Sequence, residues 1–526
     1  MRRLPSLLAL ALIIGIVALG FAGLLSAGGS GASIDWGYVW SLVRISLIQA
    51  GLSTAVSLVL GAALALALAR RSRFRGRMVL IAGFNAATVL PAIVTVFAIV
   101  ALFGRSGWIG EAARAVGFDY GSWVYGLDGV LLAHILLNAP LAARVFLAGL
   151  GAVSAEEWRL AAQLGMPPAS VFRFIDWPVL RREASGVAAL MFLACFSSFA
   201  IVLALGGGPR VSTLEVAIYE AVRFEADFSR AAVLALVQVG ACAAILLPAL
   251  VLFGRRLAEQ PPGGLVARRP DVASRRLRAF DVAILALMSF LVLVPMATIA
   301  VRGAASVASL ADGAVLSAVL TSLAIGAPAG VLSVFLALGL ATLARDLRLR
   351  LLRPGLADLT GAVATLVLVV SPIALSAGLF VTIRQWVNPY AVGIPLVIVV
   401  NALMALPFTY RQIEPPLLLA AERFGRLGDS LGLRGLARLR LVEWPLLRAP
   451  LLVALAMATA LSLGDLGVAS FFGQGELVTL PVLLYERLGS YRVAEAGSVA
   501  LLLTLLVAGL FLLAQRVSGG LVARPR

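Results

Sequence analysis

This sequence predicts an all-α polytopic membrane protein, about twelve transmembrane helices in two parallel six-helix repeats, and three observations carry the prediction. The 526 residues are 61% hydrophobic and only 13% charged, against about 25% charged in ordinary soluble domains. Apolar runs of the ~20 residues needed to cross a bilayer recur from one end of the chain to the other. The second half also repeats the order and spacing of the first.

In the first half the candidate spans are 4–27, 45–69, 78–104, 128–150, 184–208 and 229–253. In the second they are 280–301, 314–343, 357–383, 392–410, 449–473 and 496–515. The first follows Arg2 and Arg3 as a secretory signal would, but its apolar run exceeds the ~7–15 residues of a signal core and reads as a retained span. Orientation follows from arginine, because cytoplasmic loops carry the excess positive charge. Span 2 exits into RRSRFRGR, span 8 into RDLRLRLLRP, and span 6 into a segment holding Arg255, Arg256, Arg268, Arg269, Arg275, Arg276 and Arg278. The loops after spans 3, 5, 9 and 11 instead hold Glu111, Asp119, Glu215, Glu220, Glu225, Glu476 and Glu495. Both termini are therefore expected on the cytoplasmic side.

Residues 254–279 contain Pro-Pro-Gly-Gly among clustered charges and read as a flexible join. The chain thus divides into a first six-span half, 1–253, the linker, and a second half, 280–526. TLEVAIYE, Thr213 to Glu220, is answered by TLPVLLYE, Thr479 to Glu486, and LAAQLG at Leu160 by LGDSLG at Leu427. Six spans per half give both repeats one orientation, with a pseudo-twofold axis along the membrane normal and the pathway between the halves.

Composition excludes several chemistries. All 43 basic residues other than His are arginine, so the chain has no lysine to grip nucleotide phosphates or form a Schiff base. Any ATP is hydrolysed elsewhere. The net charge of +17 comes from arginines lying between apolar runs, where membrane orientation explains them and nucleic-acid binding does not. Cys195 and Cys242 lie inside apolar stretches, and one histidine cannot make a metal cluster. No catalytic residue or metal site is expected.

The most informative segments lie between spans 4 and 5 of each half. In both, a helix-forming run ends at a glycine, Gly165 or Gly432, and twelve residues separate it from the proline of a Trp-Pro pair, Trp177–Pro178 or Trp444–Pro445. Ser154 with Glu157 makes a capping box, and Pro415 and Pro416 suit the first turn of the equivalent helix. Each glycine suits a left-handed helix end. The pattern resembles the EAA loop of ABC-importer permeases: Glu-Ala-Ala, three residues, Gly, twelve residues, Pro. Arg159 and Arg426 stand in the place of the acid, and Leu160 with Ala161 (followed by Ala162), then Leu427 with Gly428, in that of the alanines. The resemblance implies the type I ABC importer permease fold, with coupling helices that dock on two copies of an ABC ATPase subunit.

Ser197 to Val222 and Ser462 to Arg492 further resemble the permeases of thiamine and thiamine-pyrophosphate importers, and the likeness covers nearly the whole chain. It implies a bacterial inner-membrane permease for a small-molecule substrate, thiamine and its phosphate esters. A periplasmic solute-binding protein would deliver it. No cofactor would be bound by this chain, ATP and Mg entering through the partner ATPase, and its surroundings would be membrane lipid. Ferric-iron and other small-solute ABC permeases share the loop, and an ion-coupled secondary transporter is the alternative of another class.

Polar residues inside spans are candidates for the translocation path. Asp465, in LSLGDLGV, is an expensive intramembrane charge, open to two roles: a carboxylate facing a cationic substrate, or the cap of a helix broken between Gly464 and Gly467. Its first-half counterpart is Ser198. His134 and Asn138 share one helical face, and with Asn401 they suit hydrogen bonds between helices. Pro91 and Pro372 are read as packing kinks.

Overall fold

The computed structural model describes residues 4–28, 35–118, 121–208, 211–253, 269–349, 351–367, 370–433, 437, 439–473 and 477–522. The first half contributes α1 (Leu4–Gly28), α2 (Trp36–Arg70), α3 (Arg77–Ala87), α4 (Ala92–Phe103), α5 (Trp108–Ala115), α6 (Leu127–Gly151), α7 (Ala155–Gln163), α8 (Pro168–Val171), α9 (Trp177–Phe196), α10 (Ala200–Leu205), α11 (Leu214–Arg223) and α12 (Phe228–Phe253). The second contributes α13 (Arg275–Ala305), α14 (Gly313–Leu349), α15 (Pro354–Leu366), α16 (Pro372–Ile383), α17 (Gly393–Ser430), α18 (Trp444–Leu463), α19 (Gly467–Phe472), α20 (Leu480–Gly489) and α21 (Val493–Val522). Among the described residues, ten helical segments are long and apolar enough to cross a membrane.

Four expected spans are not single helices. Span 78–104 divides into α3 and α4, 184–208 into α9 and α10, 357–383 into α15 and α16, and 449–473 into α18 and α19. The two prolines read as kinks begin new helices instead. Pro91 is extended (φ −55°, ψ 141°) ahead of α4, and Pro372 opens α16 behind Ser371, whose Oγ accepts from the Ala374 N–H at 3.0 Å. Proline suits a helix's first turn because its missing N–H would be unpaired there anyway.

Within each half, the second helix packs along the long helix that leads to the loop between spans 4 and 5: α2 on α6, and α14 on α17. The first helices cross over. α1 packs on α16 and α14 of the second half, and α13 on α4 and α2 of the first. Small residues permit this: a Cβ added to Gly23 would strike the Gly378 backbone and one added to Gly378 the Gly20 backbone, and Thr382 Oγ1 donates to the Leu19 carbonyl at 3.0 Å. Close backbone approach is how helices associate where lipid removes the hydrophobic drive. The outer face of α1 exposes Leu7, Leu8, Leu12 and Ile14, as a lipid-facing surface would.

The crossover is locked at one end by charge. Asp281, fully buried on α13, accepts from Arg70 Nε (2.9 Å) and Nη2 (2.7 Å) and from Arg71 Nε (2.8 Å) at the end of α2. The equivalent crossover of α1 and α14 is neutral, a 2.8 Å hydrogen bond between Ser6 and Thr342. Removing one partner of a buried ion pair strands the other, so Asp281→Ala should cost about 3–5 kcal/mol. Denaturation of the purified chain in detergent measures this, and a change below about 1 kcal/mol would mean that solvent screens the cluster.

Candidate functional site

The four helix breaks all line one cavity of ≈ 250 Å³ between the halves. Ala92 opens α4, Ser197 to Ala200 connect α9 and α10, Pro372 and Ile373 open α16, and Gly464 to Gly467 connect α18 and α19. The halves touch here through a glycine. A Cβ on Gly467 would lie 3.2 Å from Phe199 Cδ1, and one on Gly464 would lie 3.0 Å from Pro91 Cβ.

Of the five residues proposed for the path, Asp465, Ser198, His134 and Asn138 line this cavity, whereas Asn401 does not. Asp465 caps α19, Oδ1 accepting from the Val468 N–H at 3.4 Å and Oδ2 from Ala469 at 3.2 Å. That is the second of the two roles open to it. Asn401 Nδ2 donates to Ser462 Oγ at 2.9 Å, and Asn138 Nδ2 to Cys195 Sγ at 3.1 Å, so both asparagines join helices. His134 Nδ1 accepts from Gln49 Nε2 at 2.9 Å, with Ser53 Oγ at 3.0 Å. That geometry leaves the ring proton on Nε2.

Glu215 was placed by its sequence in an outer acidic loop, and the structure corrects this. It is fully buried in the first turn of α11 and lines the cavity. The segments TLEVAIYE and TLPVLLYE re-enter the bundle as α11 and α20, and each is tied by its first N–H: Leu214 to Ser46 Oγ (3.1 Å) and Leu480 to Ser322 Oγ (2.8 Å). One signal in the repeat marked the position, namely Glu215 standing where Pro481 stands in the other half. Among the described residues, no group of three His, Cys, Asp or Glu could hold a metal ion.

The two loops between spans 4 and 5 share one geometry. α7 starts at Ser154, whose Oγ accepts from the Glu157 N–H (3.2 Å) and donates to the Glu157 carboxylate (3.0 Å). It ends at Gly165 (φ +57°), with Met166 N donating to the Ala161 carbonyl at 3.0 Å. In the second half Gly432 has φ +67°, and Leu433 N donates to the Gly428 carbonyl at 2.8 Å. No atom lies within 4 Å of a Cβ built at either glycine, so the left-handed backbone alone requires glycine. The halves differ at the start of the helix. α17 runs unbroken through Pro415 and Pro416 to Ser430, so these prolines do not open a separate helix; packing of α17 against α14 and α18 overrides the lost N–H donors.

Beyond each bend a π-helical turn, Phe172–Asp176 or Leu439–Glu443, leads without a break into α9 or α18, placing Pro178 and Pro445 in the first turn. The loops expose matching apolar side chains: Leu164 (68%) and Leu431 (64%), Phe174 and Leu441 (both 64%), Trp177 (50%) and Trp444 (52%). Leu160 and Leu427 are likewise exposed, with Arg159, Ala162 and Gly165, while Ala161 and Gly428 face inward. The Arg426 side chain lies outside the described residues.

Each π turn ends on a buried acid held by arginine. Arg269 forks onto Asp176 (3.0 and 2.7 Å) and Asp271 (3.1 and 3.0 Å) while its guanidinium carbon lies 4.4 Å from the centre of the Trp158 ring of α7. Burial opposes the charge of Arg269, but the bonds to Asp271 and Asp176 outweigh it and raise its pKa. In the second half Arg345 Nη1 donates to Glu443 at 2.7 Å.

Two repeated helical halves, a cavity with a few polar side chains at their shared helix breaks and matched apolar loops at one end define a membrane transport permease. The comparisons give the family. The chain is 39% identical over 500 residues to the thiamine transport system permease protein of Brucella melitensis, covering 94% of this chain and 91% of that one. It is 40% identical to that of Salmonella typhimurium over 532 residues (98% and 96%) and 38% identical to that of Escherichia coli over 518 (96% and 95%). This chain belongs to the thiamine transport system permease family. A ferric transport system permease protein of Haemophilus influenzae is a more distant relative, 27% identical over 223 residues. No protein-family model matches the chain.

Because Asp465 accepts two helix N–H groups, Asp465→Asn should keep the purified chain as stable as the parent, while Asp465→Ala should lose about 1 kcal/mol. Denaturation in detergent distinguishes them. Equal losses would assign the role to charge and not to the cap.

Proposed function

We propose that this chain is the membrane path of an ATP-driven importer for thiamine and its phosphate esters, set in the bacterial inner membrane with both termini cytoplasmic. Full-length similarity to thiamine transport system permeases supports the substrate. The matched exposure of Leu164 and Leu431, and of Trp177 and Trp444, carries the coupling. Two equal apolar surfaces at one end of a duplicated chain fit the two equal grooves of a dimeric partner. That partner is an ABC ATPase subunit in two copies, and it supplies ATP and Mg, for which this lysine-free chain has no phosphate-gripping lysine. A periplasmic solute-binding protein delivers substrate to the opposite end.

Halves 1–253 and 280–526, joined through 254–279, then alternate between inward-open and outward-open states. Of that linker, residues 254–268 lie outside the described residues. The ATPase drives the exchange only through contacts that differ between the two states, and its closing draws the two loops together. Asp176–Arg269 fastens the first loop to the linker ahead of α13, and Glu443–Arg345 the second to α14, so loop displacement becomes movement of the helices around the cavity.

Vesicles reconstituted with the chain, the ATPase and the binding protein should take up thiamine only with ATP. Leu164→Glu with Leu431→Glu should abolish ATPase association and uptake while leaving the chain inserted, because each buries a charge in an apolar contact. Uptake driven by an ion gradient without the ATPase would overturn the proposal.

A further inference from the structure

We infer that Glu215 recognises the positive charge of the substrate in the cavity, with Asp465 serving only as a helix cap. The inference rests on the importer reading above, which makes the cargo a quaternary thiazolium. The Glu215 carboxylate is fully buried and lines the cavity. Gln238 and Ser371 are the neutral polar side chains beside it, and neither of its oxygens meets them in full hydrogen-bond geometry. An unpaired carboxylate in such a place is costly unless a cation joins it.

Among the described residues, no arginine lines the cavity. Asp465 is already committed to the start of α19, where both its oxygens accept backbone N–H groups. His134 is neutral when its Nδ1 accepts from Gln49, and its Nε2 has no partner, so it offers a donor and no positive charge. Phe199 also lines the cavity, set edge-to-face with Tyr219 at 5.0 Å, and an aromatic face beside a carboxylate suits a flat cationic ring. The repeat supplies Pro481 where Glu215 stands. Glu215 is therefore the cavity carboxylate without a committed partner, and a cation bound beside it would hold it in its charged form.

The test uses the purified full chain in lipid nanodiscs and two probes, a 3-methylthiazolium salt and its neutral thiazole parent. The parent chain should bind the cation about 30-fold more tightly than the neutral ring. Glu215→Gln should abolish that preference, and Asp465→Asn should keep it. Equal binding of both probes by the parent chain overturns the inference whether or not the Gln variant assembles, and so does an undiminished preference in Glu215→Gln. The importer reading is judged separately: parent vesicles with ATPase and binding protein that fail to take up thiamine sink it, whereas ATP-dependent uptake with no thiazolium preference leaves it standing and sinks only the role of Glu215.

Discussion

A helix that stops inside a membrane must find partners for its freed N–H and C=O groups within the protein, because lipid offers none. This chain breaks four of its apolar spans, and every break faces the same cavity. The partners come from side chains nearby: Ser371 for α16, Asp465 for α19, and Ser46 and Ser322 for the re-entering α11 and α20. The cavity lining is largely apolar, with His134, Asn138, Ser197, Ser198, Glu215 and Asp465 as its polar points, and a few polar groups converging between two halves are where a hydrophilic solute can be held.

Duplication supplied one architecture twice, and the chemistry then diverged at its centre. Ser198 answers Asp465, Pro481 answers Glu215 and Asn401 answers His134. The same division appears at the loops, where one loop helix has its own Ser154 cap and the other continues α17. The anchoring arginine comes from the linker in the first half and from α14 in the second. Positions that set geometry, such as Gly165 with Gly432 and Trp177 with Trp444, are the same residue in both halves. Positions that touch the cavity differ, which suits a substrate without twofold symmetry.

Much of this was legible in the sequence because its signals are local. Long apolar runs report spans, and a glycine closing a helix-forming run reports a left-handed end, found at both Gly165 and Gly432. The breaks were not legible, since hydrophobicity averaged over a span is blind to where the backbone leaves the helix. Pro91 and Pro372 read equally well as kinks or as helix starts, and only the packing around them decides. Pro415 and Pro416 misled in the opposite direction, because neighbouring helices hold α17 intact through them. Glu215 lies in a segment whose acids resemble those of a solvated loop, and its burial depends on α11 turning back into the bundle.

The route from loop to cavity is short and mechanically simple. α9 begins at the exposed Trp177 and ends at the break lined by Ser197 and Ser198; α18 begins at the exposed Trp444 and ends at the break lined by Gly464 and Asp465. Each has 20 residues, a rod of about 30 Å at 1.5 Å per residue. At its outer end each rod is preceded by the acid that arginine fixes, Asp176 or Glu443. A partner that moves the loop therefore moves the far end of the same helix, and that end is cavity wall. No intermediate chain of side chains is needed to link the two ends, because a single helix, interrupted in α18 only by the missing N–H of Pro450, reaches from the exposed loop to the cavity wall.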